Sequence, residues 1–249
     1  MSAWIEPALT LPQGVHVVTT VRHGLGESAS PFNEFNLGLR SGDEAAVVQR
    51  NRQALADALH LPSLPHWLNQ VHGTDVHRFS AVADVDAAEQ VADAAVTSVR
   101  GVVLSVLTAD CLPVALVAKN GQEVAVAHAG WRGLVAGVLE RSVEAMATAP
   151  DALVAWLGPA AGPCIYEVGE EVRDAFLVAD AAASACFRET RPGHWRIDLY
   201  GIAKQRLNAI GVSEIYGGDR CTISESEAFF SHRRDARTGR MATLVWMDP

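Results

Sequence analysis

Three side chains that could bind a metal ion stand where short apolar segments of the sequence end: His72, Cys111 and His128. Such positions in α/β proteins often carry functional residues, because the loops there are exposed on a rigid scaffold. Two histidines and one cysteine would fill three positions around a tetrahedral zinc ion and leave the fourth for water or substrate. Without metal, the same residue types could act as a thiol nucleophile and its base.

The segment Val102–Leu134 must position two of these three residues. It contains three apolar runs rich in Val, Leu and Ala, namely Val102–Leu107, Val114–Ala118 and Val124–Ala127. Each run is short and sharply bounded, which predicts buried strands. This segment is therefore expected to be the part of the chain around which the rest is organised.

A hairpin turn is predicted at Asn120-Gly121, between the last two runs. This dipeptide is the strongest short-range signal for a two-residue turn, because both central residues must take positive φ. Counting back from it places Pro113 opposite His128, so that Cys111 becomes a diagonal neighbour of His128 on one face. The pattern allows a shared metal ion without requiring one.

Two charged residues accompany this segment. Asp110 precedes Cys111 and is a candidate for proton transfer, or alternatively for orienting a histidine. Arg132 lies in the sequence His-Ala-Gly-Trp-Arg-Gly at 128–133, where a predicted helix begins and free backbone N–H groups favour an anion. An ordinary strand-to-helix turn with an exposed arginine would give the same pattern.

Further arginines occur in loops that also contain glycine or aromatic residues. Arg22 begins a long irregular segment, and Arg233 follows Phe229 and Phe230 near the end of the chain. Aromatic rings can stack on a base while arginines bind a phosphate, so a nucleoside or nucleotide site is one interpretation. A solvated face would explain these residues equally well.

The remaining elements alternate between strands and helices. The predicted strands are Val15–Val21, Trp67–Val71, Val76–Phe79, Leu153–Leu157, Trp195–Ile197, Val212–Tyr216 and Ala242–Met247, and the predicted helices are Asp43–Leu59, Gly133–Ala147, Glu167–Val178 and Leu199–Ile210. Arg50 and Arg52 are expected on the outward face of the first helix, and Ala81–Val96 is ambiguous between helix and loop. The interleaving, together with the hairpin, predicts an α/β fold with mixed sheets in one domain spanning residues 1–249.

Composition limits the classes of function. The 249 residues carry a formal net charge of −9, which disfavours nucleic acid as a partner. The N-terminus does not resemble a signal peptide, and no apolar run is long enough for a membrane helix, so we expect a soluble protein without a membrane partner. Four widely spaced cysteines without a C-x-x-C pair are typical of a reducing cytoplasm.

Several motifs in register resemble one known family. They are LNQVHG at 68–73, TADCLP at 108–113, HAGWRGL at 128–134, and FFSHRR at 229–234 followed by TGRMA at 238–242. Together they resemble the YfiH-like family, whose members carry the label of laccase-domain proteins or multicopper polyphenol oxidoreductases. The resemblance covers nearly the whole chain, although the tail departs from the family pattern at His232 and at Ala236-Arg237.

The resemblance implies a purine nucleoside phosphorylase of broad range. The implied substrates are phosphate and adenosine, inosine, guanosine or methylthioadenosine, with adenosine deaminase activity in addition. The implied ligands of a zinc ion are His72, Cys111 and His128, and the substrate-binding candidates are Arg22, Gln70, Arg132, Phe230 and Arg233. The implied fold is a layered α/β/β/α arrangement akin to toxin deamidases, whose Cys-His pair supplies a metal-free hydrolase as a rival mechanism for Cys111.

The laccase label conflicts with the pattern of histidines. A multicopper oxidase needs many histidine ligands, largely as His-X-His pairs, and the nine histidines of this chain include no such pair. One mononuclear site of two histidines and a cysteine suits zinc and would also accept copper. A non-catalytic metalloprotein that binds nucleosides remains an alternative, and both a monomer and a homodimer are compatible with the sequence.

Overall fold

The structure, a computed structural model, describes residues 2–84 and 88–249. Its helices are α1 (Ala45–Ala58), α2 (Trp131–Ala136), α3 (Val138–Glu144), α4 (Glu170–Ala179), α5 (Leu199–Ala209) and α6 (His232–Asp235), with 3-10 turns at Pro150–Ala152 and Ala181–Cys186. Its strands are β1 (Trp4–Ile5), β2 (Val15–Thr20), β3 (Pro65–His66), β4 (Leu68–Asn69), β5 (Val76–Arg78), β6 (Gln90–Val91), β7 (Ala94–Thr97), β8 (Val103–Thr108), β9 (Leu112–Ala118), β10 (Val124–Ala129), β11 (Leu153–Leu157), β12 (Glu167–Gly169), β13 (Phe187–Arg191), β14 (His194–Ile197), β15 (Glu214–Gly217) and β16 (Met241–Met247). Over these described ranges, no helix has the length and apolar character needed to cross a membrane.

Two large mixed sheets dominate the fold. The first has the order β1-β2-β16-β8-β3 and the second the order β15-β11-β9-β10-β7-β5, with smaller sheets β12-β14-β13 and β4-β6. Most neighbours are antiparallel, whereas β3 with β8, β4 with β6, β5 with β7, and β11 with β15 are parallel. The predicted α/β class with mixed sheets is therefore confirmed.

Alternate residues of the central strands enter two different cores, because successive side chains of a strand point to opposite faces. In β9, Ala115 and Val117 join a core between the two sheets, while Val114 and Leu116 pack beneath α3 and α5. On the far side of the first sheet, residues of α1 such as Leu55 form a third core. The order of layers is helix, sheet, sheet, helix, as expected.

The central hairpin has the predicted register. Pro113 pairs with His128 across β9 and β10. The turn itself differs from the prediction, because Gly121 has positive φ and Asn120 does not. The N–H of Ala118 donates to the Glu123 carbonyl at 2.9 Å, so residues 119–122 form a four-residue loop, in which the N–H of Gly121 donates to the Ala118 carbonyl at 2.8 Å. This loop is centred on the predicted turn, so β9 and β10 pair in the predicted register although the turn type differs.

Two predicted helices differ from the observed elements. The segment Gly133–Ala147 forms α2 and α3 instead of one helix, because Gly137 takes φ of 99° and ends the first. The predicted helix at Glu167–Val178 begins later, because its first three residues pair with β14 as β12. Both errors arise where a glycine interrupts an otherwise helical pattern.

The segments before the central hairpin are shorter and more divided than expected. The predicted strand Trp67–Val71 is the two-residue strand β4, preceded by β3. Within the ambiguous segment Ala81–Val96, β6 and much of β7 are strands, while residues 85–87 lie outside the described residues. The strand β13 was not predicted, because its polar sequence FRETR lacks apolar alternation.

Arg52 does not lie on an outward face, contrary to the prediction. Its side chain is buried, its guanidinium carbon lies 3.9 Å from the centre of the Trp67 ring, and its Nε donates to the Leu37 carbonyl at 3.0 Å. An ion pair of 3.3 Å with Glu89 completes its contacts. Arg50 is exposed as predicted and pairs with Glu27. The helical spacing of apolar residues does not show whether an arginine is solvated or is buried against an aromatic ring and a carboxylate.

Replacing Arg52 by alanine is expected to destabilise the fold by about 2–4 kcal/mol, since the Leu37 carbonyl and the Glu89 carboxylate would lose a buried partner. The matched change Arg50→Ala removes an exposed ion pair and should cost less than about 1 kcal/mol. Urea unfolding of both variants measures the difference, and equal free energies of unfolding would contradict the role of Arg52.

Candidate functional site

The three predicted ligands meet at one end of the layer between the two sheets. His128 lies in β10 with the same parity as Val124 and Val126, so its side chain points into this layer. Cys111 precedes β9, and its Sγ is 3.8 Å from Nε2 of His72. The ligand atoms of all three residues lie within 4.8 Å of one another. A single ion could contact all of them after small side-chain movements.

A buried aspartate that the sequence analysis did not identify organises this cluster. The carboxylate of Asp93, fully buried just before β7, accepts hydrogen bonds from the backbone N–H groups of Val71, His72 and Gly73 at 3.1, 2.9 and 2.7 Å. It also accepts from Nδ1 of His128 at 2.8 Å. Asp93 thereby fixes the loop that carries one ligand and the ring of another. Nε2 of His128 remains available to a metal ion.

The same contacts stabilise His72 in an unusual backbone conformation. Its φ is 61°, a left-handed value that costs free energy for a residue with a side chain. Three consecutive N–H groups can converge on one carboxylate only if the chain turns sharply here. The turn directs the His72 imidazole towards Cys111. The left-handed conformation of His72 therefore brings its side chain into the cluster.

Electrostatics favour an ion pair between Cys111 and His128 in the absence of metal. Burial alone would raise the pKa of the Cys111 thiol, but the charges and hydrogen bonds of His128 and His72 outweigh it and lower the pKa to about 6. Burial would lower the pKa of His128, but the Cys111 thiolate and Asp93 raise it to about 9. The thiol therefore carries its negative charge near neutral pH, as metal binding requires.

Two glycines of the sequence HAGWRG allow the cluster to close. A Cβ atom on Gly130 would lie 2.9 Å from Cδ2 of His72 and 3.0 Å from Sγ of Cys111. A Cβ atom on Gly133 would lie 2.9 Å from the carbonyl oxygen of Gly73. Any side chain at either position would push the His72 loop away from the other ligands.

The cluster opens into a cavity of about 430 Å³. It is lined by Gly38, Leu39, Arg40, Ser41, Leu68, Asn69, Gln70, His72, Leu107, Thr108, Ala109, Cys111, His128, Arg132, His232 and Arg240. Five of the predicted site residues therefore share one cavity: Gln70, His72, Cys111, His128 and Arg132. The loop at 38–41 and Arg240 also line it, although the sequence analysis assigned them no role.

Gln70 and Arg132 have different surroundings in this cavity. The Gln70 amide donates to the carbonyl and accepts from the N–H of Leu107, both at 2.8 Å, and so joins the His72 loop to the end of β8. Arg132 is exposed, and its guanidinium carbon lies 4.4 Å from the centre of the Trp131 ring. Arg132 is thus free to contact an anion. Gln70 instead holds the His72 loop against the end of β8 in the cavity wall.

Asp110 is not brought to the histidines. Its backbone has φ of 92°, and its buried carboxylate accepts from the Thr222 hydroxyl and from the backbone N–H of Arg233, both at 2.6 Å. It ties the tail of the chain to the turn before Cys111. The role of orienting a histidine, which was one expectation for Asp110, belongs instead to Asp93.

The structure places three other predicted residues outside the cavity. Phe230 is fully buried, and the Arg22 guanidinium carbon lies 5.0 Å from the centre of its ring. Arg22 donates to backbone carbonyls of Asn33 and Ser226. Arg233 lies in an adjoining cleft, with its guanidinium carbon 4.8 Å from the centre of the Tyr166 ring. Phe230 therefore packs inside the tail of the chain, and its ring has no exposed face on which a base could stack.

Fold and cluster together define an α/β protein in which two histidines and one cysteine converge and could hold a metal ion. The sequence model of the family described as multi-copper polyphenol oxidoreductase laccase matches residues 16–248. The chain therefore belongs to this family, and the expected resemblance to YfiH-like proteins is confirmed.

Individual relatives are similar over nearly their full length. A purine nucleoside phosphorylase of Xylella fastidiosa (strain 9a5c) is 55% identical over 243 residues, which cover 95% of this chain and 94% of the relative. Purine nucleoside phosphorylase YfiH of Escherichia coli (strain K12) is 48% identical over 247 residues, 99% and 100% of the two chains. A crystal structure of a Neisseria meningitidis protein superimposes with a TM-score of 0.94 at 39% identity, covering both chains completely. The further kinship with toxin deamidases stays a prediction.

Changing Asp93 to asparagine is expected to lower metal affinity roughly 10- to 100-fold, because the amide can no longer accept from His128 and from three backbone N–H groups together. The exposed Asp75 on the same loop provides a control, and Asp75→Asn should leave affinity unchanged. Competition with a chromogenic chelator measures both variants. Wild-type affinity in Asp93→Asn would contradict the organising role of this carboxylate.

Proposed function

We propose that this protein is a metal-dependent purine nucleoside phosphorylase whose metal, zinc, is bound by His72, Cys111 and His128. The observation that carries the proposal is the convergence of these three ligand atoms within 4.8 Å in the wall of an open cavity. The names of the relatives specify the reaction, since the Xylella fastidiosa and Escherichia coli proteins are both called purine nucleoside phosphorylases.

The donor set suits zinc on chemical grounds. It combines a thiolate with two imidazoles, and Asp93 accepts from Nδ1 of His128 in the manner of carboxylate–histidine–zinc sites. The cavity side of the cluster leaves the fourth position accessible to water or substrate. A bound zinc ion would supply Lewis acidity and lower the pKa of a coordinated water. The same ligands accept copper, so copper in a preparation would not establish the native metal.

The residues of the chain would bind and orient the two substrates of phosphorolysis. The cavity of about 430 Å³ is large enough for a nucleoside, and polar side chains such as Asn69 and Ser41 line it. The exposed guanidinium of Arg132 would contact the anionic phosphate. Positioning the two substrates against each other would supply much of the rate enhancement.

The proposal includes a broad range of purine nucleosides, with adenosine, inosine, guanosine and methylthioadenosine as substrates. It also includes adenosine deamination at the same cluster, with water as co-substrate in place of phosphate. Incubation with adenosine separates the two reactions, since phosphorolysis releases adenine and deamination yields inosine. Arg22, Phe230 and Asp110 would then support the site through packing and hydrogen bonds without contacting substrate.

A multicopper oxidase is less well supported. Across residues 2–84 and 88–249, one group of three or more side chains could hold a metal ion, the cluster around Cys111. Several copper ions would need more ligands than this cluster offers. The laccase label of the family therefore does not determine the activity of this chain.

A metal-free hydrolase is the second candidate, and one specific observation favours it. The lowered pKa of Cys111 and the raised pKa of His128 describe a thiolate–imidazolium pair such as cysteine hydrolases use. Alkylation with iodoacetamide distinguishes the candidates. If added zinc protects the thiol of metal-free protein, ligation is favoured; a substrate-derived adduct on Cys111, detected by mass spectrometry, would favour covalent catalysis.

The variant Cys111→Ala is expected to lose at least roughly 100-fold in both zinc affinity and phosphorolysis of inosine, because the thiolate is the only anionic ligand of the cluster. The exposed Cys164 supplies the control, and Cys164→Ala should retain both properties. Elemental analysis measures zinc, and chromatography measures hypoxanthine and ribose 1-phosphate.

Full zinc content and full turnover in Cys111→Ala would refute the proposed site. Wild-type protein that binds inosine and zinc but forms neither product would instead support a non-catalytic nucleoside-binding metalloprotein. Loss of turnover with full zinc content would favour the nucleophilic role of Cys111.

A further inference from the structure

A second concave site adjoins the cavity. This cleft, of about 430 Å³, lies between the start of α2, the strand β12 and the helix α6. Its polar lining includes Arg132, Tyr166, Arg191, His194 and Arg233. Arg132 belongs to the walls of both the cavity and the cleft. The two sites are therefore adjacent compartments that share one guanidinium.

The charges in the cleft leave an excess of positive charge. Within the part of the chain that the structure describes, neither Arg132 nor Arg233 forms an ion pair with a carboxylate. The Glu167 carboxylate is neutralised by Arg191 at 2.9 Å. The other acidic group of the lining, Glu171, lies in the first turn of α4, where the helix dipole stabilises a negative charge. Two arginines thus face the cleft without a protein anion of their own.

Arg233 is held in place by contacts that leave part of its guanidinium free. Its backbone N–H donates to Asp110 at 2.6 Å, and its Nη1 donates to the Glu167 carbonyl. The guanidinium lies over the Tyr166 ring at 4.8 Å. The neutral carbonyl accepts one hydrogen without cancelling the charge. A planar, preorganised guanidinium is well suited to a tetrahedral oxyanion.

Tyr166 adds an uncharged donor to the lining of the cleft. Its backbone is fixed by hydrogen bonds to Gly162 and from Ile197 at 3.0 and 3.1 Å. Burial raises the pKa of its phenol to about 12, with the charges of Cys111 and Asp110 contributing in the same direction. The hydroxyl accordingly stays protonated at neutral pH and can donate to an anion.

We propose that this cleft binds inorganic phosphate, the second substrate, through Arg132, Arg233 and Tyr166, while the cavity binds the nucleoside. The assignment rests on the proposed phosphorylase function and identifies where each substrate enters. In the reaction a phosphate oxygen forms a bond to C1′ of the ribose and the bond from C1′ to the purine nitrogen breaks. The electron pair of that bond leaves with the purine, which gains the proton that the hydrogen phosphate loses, giving ribose 1-phosphate and the free base. Arg132, at the boundary, contacts phosphate at the point of transfer.

The test separates phosphate from nucleoside binding. In Arg233→Gln and in Tyr166→Phe, the KM for phosphate should rise roughly 10-fold or more, since each loses a hydrogen bond to a charged group, while the KM for inosine changes less than about 2-fold. The exposed Arg188 lies on β13 outside the cleft lining, and Arg188→Gln should behave as wild type. Melting temperature and zinc content are measured for every variant, and Arg233→Lys should restore part of the phosphate affinity.

A binding measurement keeps this inference separate from the phosphorylase proposal. Calorimetric titration of the zinc-loaded wild type with inorganic phosphate alone should give saturable binding that Arg233→Gln weakens at least roughly 10-fold. If that result is obtained but no nucleoside is cleaved, the phosphorylase proposal fails and the phosphate site stands. If wild type and Arg233→Gln bind phosphate equally, or neither binds it, the assignment of the cleft is overturned.

The cleft could also accept the phosphate group of a nucleotide. Comparing the affinities for inosine 5′-monophosphate and for inosine distinguishes a nucleotide phosphate from inorganic phosphate. Inosine 5′-monophosphate should bind the wild type no more tightly than inosine in the absence of free phosphate. Tighter binding of the nucleotide, lost in Arg233→Gln, would show that the cleft takes the substrate's own phosphate and would contradict the assignment to inorganic phosphate.

Discussion

The carboxylate of Asp93 is the contact on which the candidate site depends. It is fully buried and accepts three backbone N–H groups from the His72 loop together with Nδ1–H of His128. Burial alone would raise its pKa, but these hydrogen bonds lower it below the ordinary value for aspartate. A buried charge with this many donors is stable, whereas any loss of donors would leave it uncompensated. The ligand loop, the imidazole ring and the carboxylate therefore form one unit.

That unit can form only because the backbone of neighbouring segments approaches the side chains of the cluster closely. The layer between the sheets ends at His128, and the chain then turns through Gly130, where a Cβ atom would contact two of the ligands. The end of the strand at His128, the glycine at position 130 and the Asp93 carboxylate must therefore all be in place for the cluster to form. A cluster assembled from three separate segments needs all of them, which explains why residues far from one another in sequence determine one candidate metal site.

The sequence was informative where local periodicity coincided with the fold. Short, sharply bounded apolar runs predicted the strands β8, β9 and β10, although β8 lies in a different sheet from the other two, and the Asn120-Gly121 signal predicted the pairing of Pro113 with His128. The sequence could not identify Asp93, because a single acidic residue before a short apolar run has no periodic signature. Nor could periodicity show that Arg52 stacks on Trp67 or that Phe230 is buried, since both depend on contacts across the fold. The candidates that lie within the motifs at 68–73, 111–113 and 128–134 share the cavity, whereas Arg22, Phe230 and Arg233, indicated only by residue type in loops, lie outside it.

The charge of the cluster also relates the metal to the neighbouring arginines. Without metal, Cys111 and Asp93 carry two negative charges against one on protonated His128. A divalent cation would displace the proton from His128 and bring the sum of these charges to zero. An anion approaching Arg132 from the cleft would then meet no net repulsion from the cluster. Metal loading and phosphate affinity should consequently be coupled through electrostatics, without requiring the two ligands to touch.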